Sequence, residues 1–201
     1  MKILLAILFF LSGFIYAQGK TTFNFNEETG KNQIIFFSAT PLEDITGTGD
    51  GISGFAELNP HNLKEGIKAR IVLRVNSIKT GINLRDKHLQ SDNWLDSEKY
   101  PFITYEATGV KKILSSEGNK TKCLLKGALT MHGISKEIPV TVDITFLPES
   151  EETRKIAEGD LIGVSGAFRI KLSDFGVENQ LVGNKVAENI DIKFKLVGSS
   201  K

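Results

Sequence analysis

The chain has 201 residues, with 25 Lys and Arg side chains against 24 Asp and Glu, which gives a formal charge of +1. Removing residues 1–17, whose only charge is Lys2, leaves 184 residues with 24 basic and 24 acidic side chains. This balance argues against nucleic-acid binding and against polybasic attachment to a membrane, because both need an excess of Lys and Arg. A hydrophobic content of 40% excludes an intrinsically disordered chain, and the length predicts one domain.

The N-terminal segment predicts export. Lys2 precedes an uninterrupted apolar run from Ile3 to Leu11, and Ala17 offers a small residue for cleavage. This pattern is typical of a removable signal peptide over residues 1–17, with the mature domain at 18–201. The run is shorter than the roughly 20 residues that span a bilayer, so we expect no stable membrane insertion. The single cysteine, Cys123, allows no internal disulfide, which favours the bacterial periplasm over a eukaryotic secretory route.

Alternation of apolar and polar residues, the period of a half-buried strand, dominates the rest of the chain. Nine such runs occur in chain order, at residues 22–26, 33–40, 51–58, 68–77, 102–108, 121–130, 136–147, 161–170 and 188–197. Residues 33–40 are more continuously apolar, which suggests a strand covered on both faces. Pro139 cannot donate a ladder hydrogen bond, so its strand should lie at an edge there or begin pairing after it. The pattern predicts an antiparallel all-β domain.

Three segments break the alternation. Residues 47–51 are rich in glycine and predict a hairpin connection. Residues 84–97 predict a helix of two or three turns that ends before Pro101 and closes one end of the domain. Residues 172–180 predict a turn or a short helix between the last strands.

Alternation by itself is compatible with either a sandwich or a barrel. Several predicted inward positions carry small residues, namely Gly54, Ala56, Ala69, Ala107, Gly127 and Gly166. Small inward side chains either leave space for a ligand or face large partners across the core. An eight-stranded barrel is wide enough to hold side chains or one small ligand.

The residues predict no catalytic or metal centre. His61, His88 and His132 are far apart in the sequence, without the spacing of a zinc site. Cys123 lies on an apolar strand face, where a buried unreactive thiol is expected. Neither a nucleophile elbow nor a phosphate-binding loop occurs. We therefore expect a protein without enzymatic activity and without a cofactor.

A compact polar cluster follows the fourth run and contains Arg85, Asp86 and His88. In one interpretation Arg85 pairs with Asp86 or another nearby carboxylate and the helix closes the barrel. In the other, Arg85 or His88 lies at the mouth of a pocket and binds a polar head group. Further candidates for this role are His132 and Lys136. The aromatic residues Trp94 and Tyr100 are expected to pack in the interior.

Five blocks of the sequence, at residues 77–81, 85–89, 96–104, 127–136 and 173–176, resemble the YceI-like family in order and spacing. The resemblance extends over nearly the whole mature chain. It implies an exported, lipocalin-like extended β-barrel of about eight or nine strands with one short helix at a barrel end. It also implies that the barrel binds a long apolar molecule such as a polyisoprenoid, an isoprenoid quinone or a fatty-acid derivative.

On this basis we predict an apolar tunnel with a head-group site formed by Arg85 and His88 at its mouth. The predicted tunnel residues are Ile71, Leu73, Tyr105, Leu125, Leu129, Val142, Ile144, Phe168, Ile192 and Phe194. The principal alternative is a fully packed barrel that acts through its surface as an envelope stress or partner-binding protein. Edge strands and a net charge near zero also allow a homodimer.

Overall fold

The computed structural model describes residues 19–25 and 32–201. The predicted signal peptide at residues 1–17 and the last residue of the first predicted strand, Asn26, lie outside this part of the chain. The described strands are β1 (Thr21–Phe25), β2 (Gln33–Ala39), β3 (Asp44–Gly49), β4 (Ile52–Leu58), β5 (Ile67–Arg74), β6 (Ile78–Lys79), β7 (Phe102–Glu117), β8 (Lys120–Met131), β9 (Ile134–Glu137), β10 (Val140–Leu147), β11 (Leu161–Lys171) and β12 (Asn189–Ser199). The described α-helices are α1 (Asn83–Gln90) and α2 (Glu151–Arg154). Short 3₁₀ turns occupy Leu63–Glu65, Val75–Ser77 and Leu172–Phe175.

Eight antiparallel strands form a closed ring. They are hydrogen-bonded in the order β1-β4-β5-β7-β8-β10-β11-β12, and β1 pairs with β12 at Asn24 and Ser199 to complete the ring. Closure leaves these strands without a continuous open edge. The prediction of an all-β antiparallel barrel is therefore confirmed.

The barrel is extended at one end by additional strands. β2 pairs with residues 191–195 of β12, β3 pairs with β2, and β6 pairs with β3. On the other side of the ring, β9 pairs with the last residues of β8. The predicted run 136–147 is divided at Pro139. Ile134–Glu137 form β9, which pairs with β8 alone among the described strands, and β10 begins at Val140 and also pairs with β8. Pairing therefore occurs on both sides of Pro139, and the segment before it lies at an edge, which was one of the two predicted alternatives.

The alternation of the sequence corresponds to the inner and outer faces of the barrel. On β10, Val140, Val142 and Ile144 are buried, whereas Asp143 between them is exposed. Because the side-chain period of a strand is two, a shift of one residue would turn this buried set towards water. The hydrophobic pattern thereby determines the register of each strand.

Three elements differ from the predictions. Residues 44–49 form strand β3, paired with β2 and β6, rather than a hairpin loop. Glycine is required at position 47 because a Cβ there would lie 2.1 Å from the ring of Phe36. Helix α1 ends at Gln90, where Ser91 Oγ and Ser91 N–H both donate to the carbonyl of His88. The outer face of β2 is open, since Ile35 and Phe37 are exposed.

Large apolar side chains fill one end of the barrel. The rings of Phe23 and Phe146 pack edge to face with centroids 6.3 Å apart, and Leu63 of the β4–β5 connection is buried with them. The connection between β10 and β11, residues 148–160, contains α2. There the capping hydrogen bonds of Ser150 with Thr153 fix the first turn of α2. We call this the closed end; the opposite end, at α1, we call the mouth.

Candidate functional site: an apolar barrel cavity with one mouth

A cavity of about 470 Å³ occupies the barrel interior between the closed end and the mouth. Its size is within the range of about 300–1,000 Å³ that is usual for ligand pockets. All ten residues of the predicted tunnel line it: Ile71, Leu73, Tyr105, Leu125, Leu129, Val142, Ile144, Phe168, Ile192 and Phe194. The barrel is therefore not packed solid along its length.

Small side chains create part of this space. Ala56, Ala69, Ala107 and Gly127 are paired in register across β4, β5, β7 and β8. The three alanines line the cavity. In contrast, a Cβ at Gly127 would lie 2.5 Å from the Tyr105 hydroxyl oxygen, so the tyrosine side chain occupies the space beside that glycine. The three alanines therefore leave space in the cavity, whereas Gly127 faces a large partner.

Few polar groups line the cavity apart from the ionisable residues at the mouth. The Tyr105 hydroxyl donates to the carbonyl oxygen of Ile138 at 3.0 Å, and burial raises the pKa of Tyr105 to about 12. Ser38 Oγ accepts a hydrogen bond of 2.8 Å from the backbone N–H of Ala187. Since both groups already have protein partners, the inner cavity favours a ligand segment made of hydrocarbon.

The ionisable residues that line the cavity with basic or acidic side chains are all at its mouth. They are Glu43 from the β2–β3 turn, Arg85 and His88 from α1, and Lys185 from the loop before β12. Arg85 Nη1 lies 2.7 Å from Glu43 Oε1, while Arg85 Nε and Nη2 donate to the side chain and the carbonyl of Thr80. The ion pair thus joins α1 to the β2–β3 turn across the opening.

Asp86 anchors α1 from the inside. Its Oδ1 accepts hydrogen bonds from the Thr80 backbone N–H at 2.7 Å and from the Thr80 hydroxyl at 2.6 Å. The hydrogen bond from the Thr80 hydroxyl lowers the pKa of Asp86, and the backbone hydrogen bond and the charges of Lys79 and Arg85 lower it further against the cost of burial. The carboxylate stays ionised and acts as an acceptor for the segment that enters the helix.

The structure separates the predicted polar candidates. Arg85 and His88 lie at the mouth, and Arg85 pairs with Glu43 rather than with its neighbour Asp86. His132 and Lys136 do not line the cavity. The ring of His132 packs against Tyr100 with centroids 4.9 Å apart, and its Nδ1 lies 3.1 Å from the carbonyl oxygen of Phe175. This contact joins the β8–β9 turn to the last 3₁₀ turn, which indicates a structural role.

Trp94 is buried as expected, and it also forms part of the cavity wall.

Cys123 is fully buried, as expected. Burial, with a smaller contribution from Asp143, raises the pKa of its thiol to about 11. A thiol in this environment is largely protonated at neutral pH and weakly reactive. Among residues 19–25 and 32–201, no three His, Cys, Asp or Glu side chains are grouped as a metal site requires.

Sequence reasoning missed several residues of the site. Glu43, Lys185 and Leu181 lie in connections, where no periodicity indicates which way a side chain points. Ile34 and Phe36 of β2 line the cavity although their run was expected to be covered on both faces. Only their alternation with the exposed Ile35 and Phe37 could have placed them on the inner face.

An eight-stranded antiparallel barrel with an apolar interior and one charged mouth defines the class of lipocalin-like barrels. The model of the YceI-like domain matches residues 21–198, and the chain belongs to the YceI-like family. In the part of the chain that the structure describes, no helix has the length and apolar character needed to cross a membrane.

The chain is similar to several proteins of known sequence. A UPF0312 protein of Pseudomonas aeruginosa (strain LESB58) is 32% identical over 132 residues, covering 66% of this chain and 61% of that protein. The match thus spans less than two thirds of this relative's length. Protein YceI of Escherichia coli O6:H1 is 29% identical over 149 residues, covering 74% of this chain and 69% of that protein.

Solved structures share the fold. A polyisoprenoid-binding domain from Saccharophagus degradans superimposes with a TM-score of 0.67 at 16% identity, covering 90% of this chain and 99% of the domain. BcnA of Burkholderia cenocepacia gives a TM-score of 0.66 at 21% identity, covering 86% of this chain and 98% of that protein. At these identities the likeness concerns the architecture.

Proposed function

We propose that this protein binds one long apolar molecule, a polyisoprenoid, an isoprenoid quinone or a fatty-acid derivative, inside the barrel. The observation that carries the proposal is the cavity of about 470 Å³ lined almost wholly by apolar side chains. Membership in the YceI-like family and the shared architecture with a polyisoprenoid-binding domain support the same ligand class. The protein would act as a carrier in the periplasm after export, without catalysing a reaction.

The distribution of polar groups supports one orientation of the ligand. Away from the mouth the cavity is lined by hydrocarbon and by the hydrogen-bonded Tyr105, so the apolar tail would enter first. A polar head would remain at the mouth, near Arg85, His88 and Lys185. Arg85 already binds Glu43 and Thr80, so a head group has to share or displace the Glu43 contact.

Burial of the tail supplies the driving force. Each methylene group that leaves water contributes about 0.8 kcal/mol, so about ten of them contribute about 8 kcal/mol before the costs of ordering. The largest part of the affinity therefore depends on cavity length and width rather than on the head group. An increase in side-chain volume inside the cavity should weaken binding more than the loss of one mouth contact.

Native mass spectrometry of the purified protein tests the proposal directly. We expect an additional mass of a few hundred daltons that extraction with organic solvent removes. Leu125→Trp places a large ring in the cavity and should reduce the loaded fraction at least tenfold. Lys126→Trp is the matched control, because Lys126 is exposed on the opposite face of the same strand. A clean ligand-free mass for the wild-type protein, or equal loading of both folded variants, would contradict the proposal.

A further inference from the structure

The cavity ends inside the barrel, and the register of the strands locates its end. On β10 and β11, the paired residues Ile144 and Val164 both line the cavity. The next inward pair towards the closed end, Phe146 and Ile162, does not line it. The bottom of the cavity on this wall therefore lies between two successive inward pairs of the same two strands.

The opposite wall ends in the same way. β4 and β5 lie opposite β10 and β11 in the ring of strands. Their last pair that lines the cavity is Leu58 with Ile67, on either side of the connection 59–66. Leu63 of that connection is buried but does not line the cavity, so both walls end below the same closed end.

Aromatic side chains close the space beneath this floor. The ring of Phe146 packs edge to face against Phe23 with centroids 6.3 Å apart and against His61 with centroids 5.1 Å apart. Phe23 and Ile162 are completely buried. Within residues 19–25 and 32–201 the cavity is thus closed beneath Ile67, and a tail would enter from the mouth and stop at the floor.

The middle of the cavity is narrowed by three further rings. Tyr105 and Phe168 have centroids 6.5 Å apart, and Phe168 and Phe194 have centroids 6.3 Å apart. Two strands, β8 and β10, separate β7 from β11 in the ring, so Tyr105 and Phe168 extend from the wall towards each other. The hydrogen bond from Tyr105 to the Ile138 carbonyl fixes one side of this narrow level. An extended tail needs less width here than a folded one, which favours a single pass of the chain.

The depth of the cavity follows from β5. Ile67 near the closed end and Leu73 near the mouth both line the cavity, and the strand between them is about 20 Å long. Strands of a barrel are tilted by about 40° to its axis, so this length corresponds to about 15 Å of depth. The hydrocarbon core of a bilayer is about 30 Å thick, so the tail of one leaflet spans about 15 Å. The cavity thus has about the depth of one lipid tail.

From these observations we infer that the barrel measures the length of the tail it binds. A tail of about the length of one bilayer leaflet enters completely, and the remainder of a longer polyisoprenoid stays outside the mouth. The inference rests on the proposed function and specifies which tails that site prefers. The limit is set by Leu58, Ile67, Ile144 and Val164, the last lining residues on their strands. Each methylene group inside the cavity tightens binding by up to about fourfold, and a methylene group outside adds nothing.

Native mass spectrometry of the protein in an equimolar excess of lauric, palmitic, arachidic and lignoceric acids tests the limit, because the added mass identifies the bound acid. We expect palmitic acid to occupy at least tenfold more protein than lauric acid. Arachidic and lignoceric acids should exceed palmitic acid by no more than about twofold, since their additional methylene groups remain in water. Farnesol, geranylgeraniol and solanesol form a second series, in which solanesol should not exceed geranylgeraniol.

Substitutions on β5 should move the limit in opposite directions. Ala69→Phe raises the floor, because Ala69 lines the cavity one inward position above Ile67, and it should lower the palmitic-to-lauric ratio at least tenfold. Lys68→Phe is the matched control, since Lys68 is exposed on the outer face of the same strand, and it should keep the wild-type profile. Ile67→Ala lowers the floor and should raise the arachidic-to-palmitic ratio at least threefold, which provides a second test if the larger side chain at position 69 prevents folding.

The outcomes separate the length limit from ligand binding. A bound fraction that keeps rising from palmitic to lignoceric acid, or one that is already level from lauric to palmitic acid, would overturn the limit and leave the proposed function intact. Equal profiles for Ala69→Phe and Lys68→Phe, or an unchanged arachidic-to-palmitic ratio in Ile67→Ala, would overturn it as well. Protein that takes up no acid and no isoprenoid alcohol would contradict the proposed function itself.

Discussion

The two ends of the barrel use their apolar residues in opposite ways. At the closed end, Phe23, Leu63 and Phe146 are buried and no part of the cavity reaches them. At the mouth, Leu42 and Leu84 face outward while Asp86 is buried. The filled end thus buries its large apolar side chains, whereas part of the apolar surface at the mouth stays exposed. The mouth gives up burial of apolar surface so that an opening and an apolar rim can exist.

Each end is tied to a distant part of the chain by a different kind of hydrogen bond. At the closed end, the backbone N–H of Asp160 donates to Ser200 Oγ at 2.9 Å and the Ser200 N–H donates to the Asp160 carbonyl at 2.9 Å. At the mouth, the tie between two connections is the Arg85–Glu43 ion pair, and both side chains are partly exposed. A partly exposed ion pair contributes little free energy, so we expect loss of this pair to loosen the mouth locally while the barrel stays folded.

The largest expected contrast between the two ends concerns stability. Phe23→Ala should lower the free energy of unfolding by about 3–5 kcal/mol, because it leaves a void in the filled end. Leu84→Ala should change it by less than about 0.5 kcal/mol, since Leu84 is exposed. Urea unfolding followed by circular dichroism measures both values. A similar loss of unfolding free energy in the two variants would show that Phe23 and Leu84 contribute equally to stability, contrary to this prediction.

A smaller effect concerns the anchor of α1. Asp86→Asn retains the shape of the side chain and removes its charge, and it should lower the free energy of unfolding by about 1–2 kcal/mol at pH 7. The pKa of Asp86 is lowered in the folded state, so the advantage of the carboxylate is present at neutral pH. It should disappear as the pH falls from the ordinary aspartate value, about 3.9, through the lowered folded-state value.

Unfolding curves of the wild type and Asp86→Asn at a series of pH values from neutral to acidic measure this dependence. We expect the two proteins to converge in stability at the acidic end. A difference that stays constant with pH would indicate that the substitution acts through packing rather than through the carboxylate charge.

The smallest effect concerns the ion pair across the mouth. Glu43→Gln should change global stability by at most about 1 kcal/mol, because the pair is partly exposed and Arg85 keeps its contacts with Thr80. Hydrogen exchange followed by mass spectrometry should be faster in residues 40–44 and in α1, and unchanged in residues 148–160. Glu152→Gln, which removes an exposed pair with Lys155 at the closed end, is the control and should leave exchange at the mouth unaltered.

Local periodicity was sufficient for most of the barrel. The alternation of Val140, Val142 and Ile144 on β10 indicated both the strand and its inner face, because an inward set of apolar side chains stays inward only in one register. For the same reason the ten predicted tunnel residues all lie along the cavity wall. Pro139 indicated an irregularity of the ladder, which the structure shows as the break between the edge strand β9 and β10.

Contacts between distant parts of the chain required the tertiary structure. Whether the sheet closes depends on the pairing of Asn24 with Ser199, and the partner of Arg85 is Glu43, 42 positions away; neither contact has a local signal. The glycines of residues 47–51 indicated a hairpin connection rather than strand β3. The reason for Gly47 is the close approach of Phe36 on the neighbouring strand, which has no local signal. The amino-acid sequence by itself thus determined the strands and their inward faces through a period-two pattern. The closure of the ring, the open cavity and the outward leucines of the mouth were decided by long-range packing and hydrogen bonding.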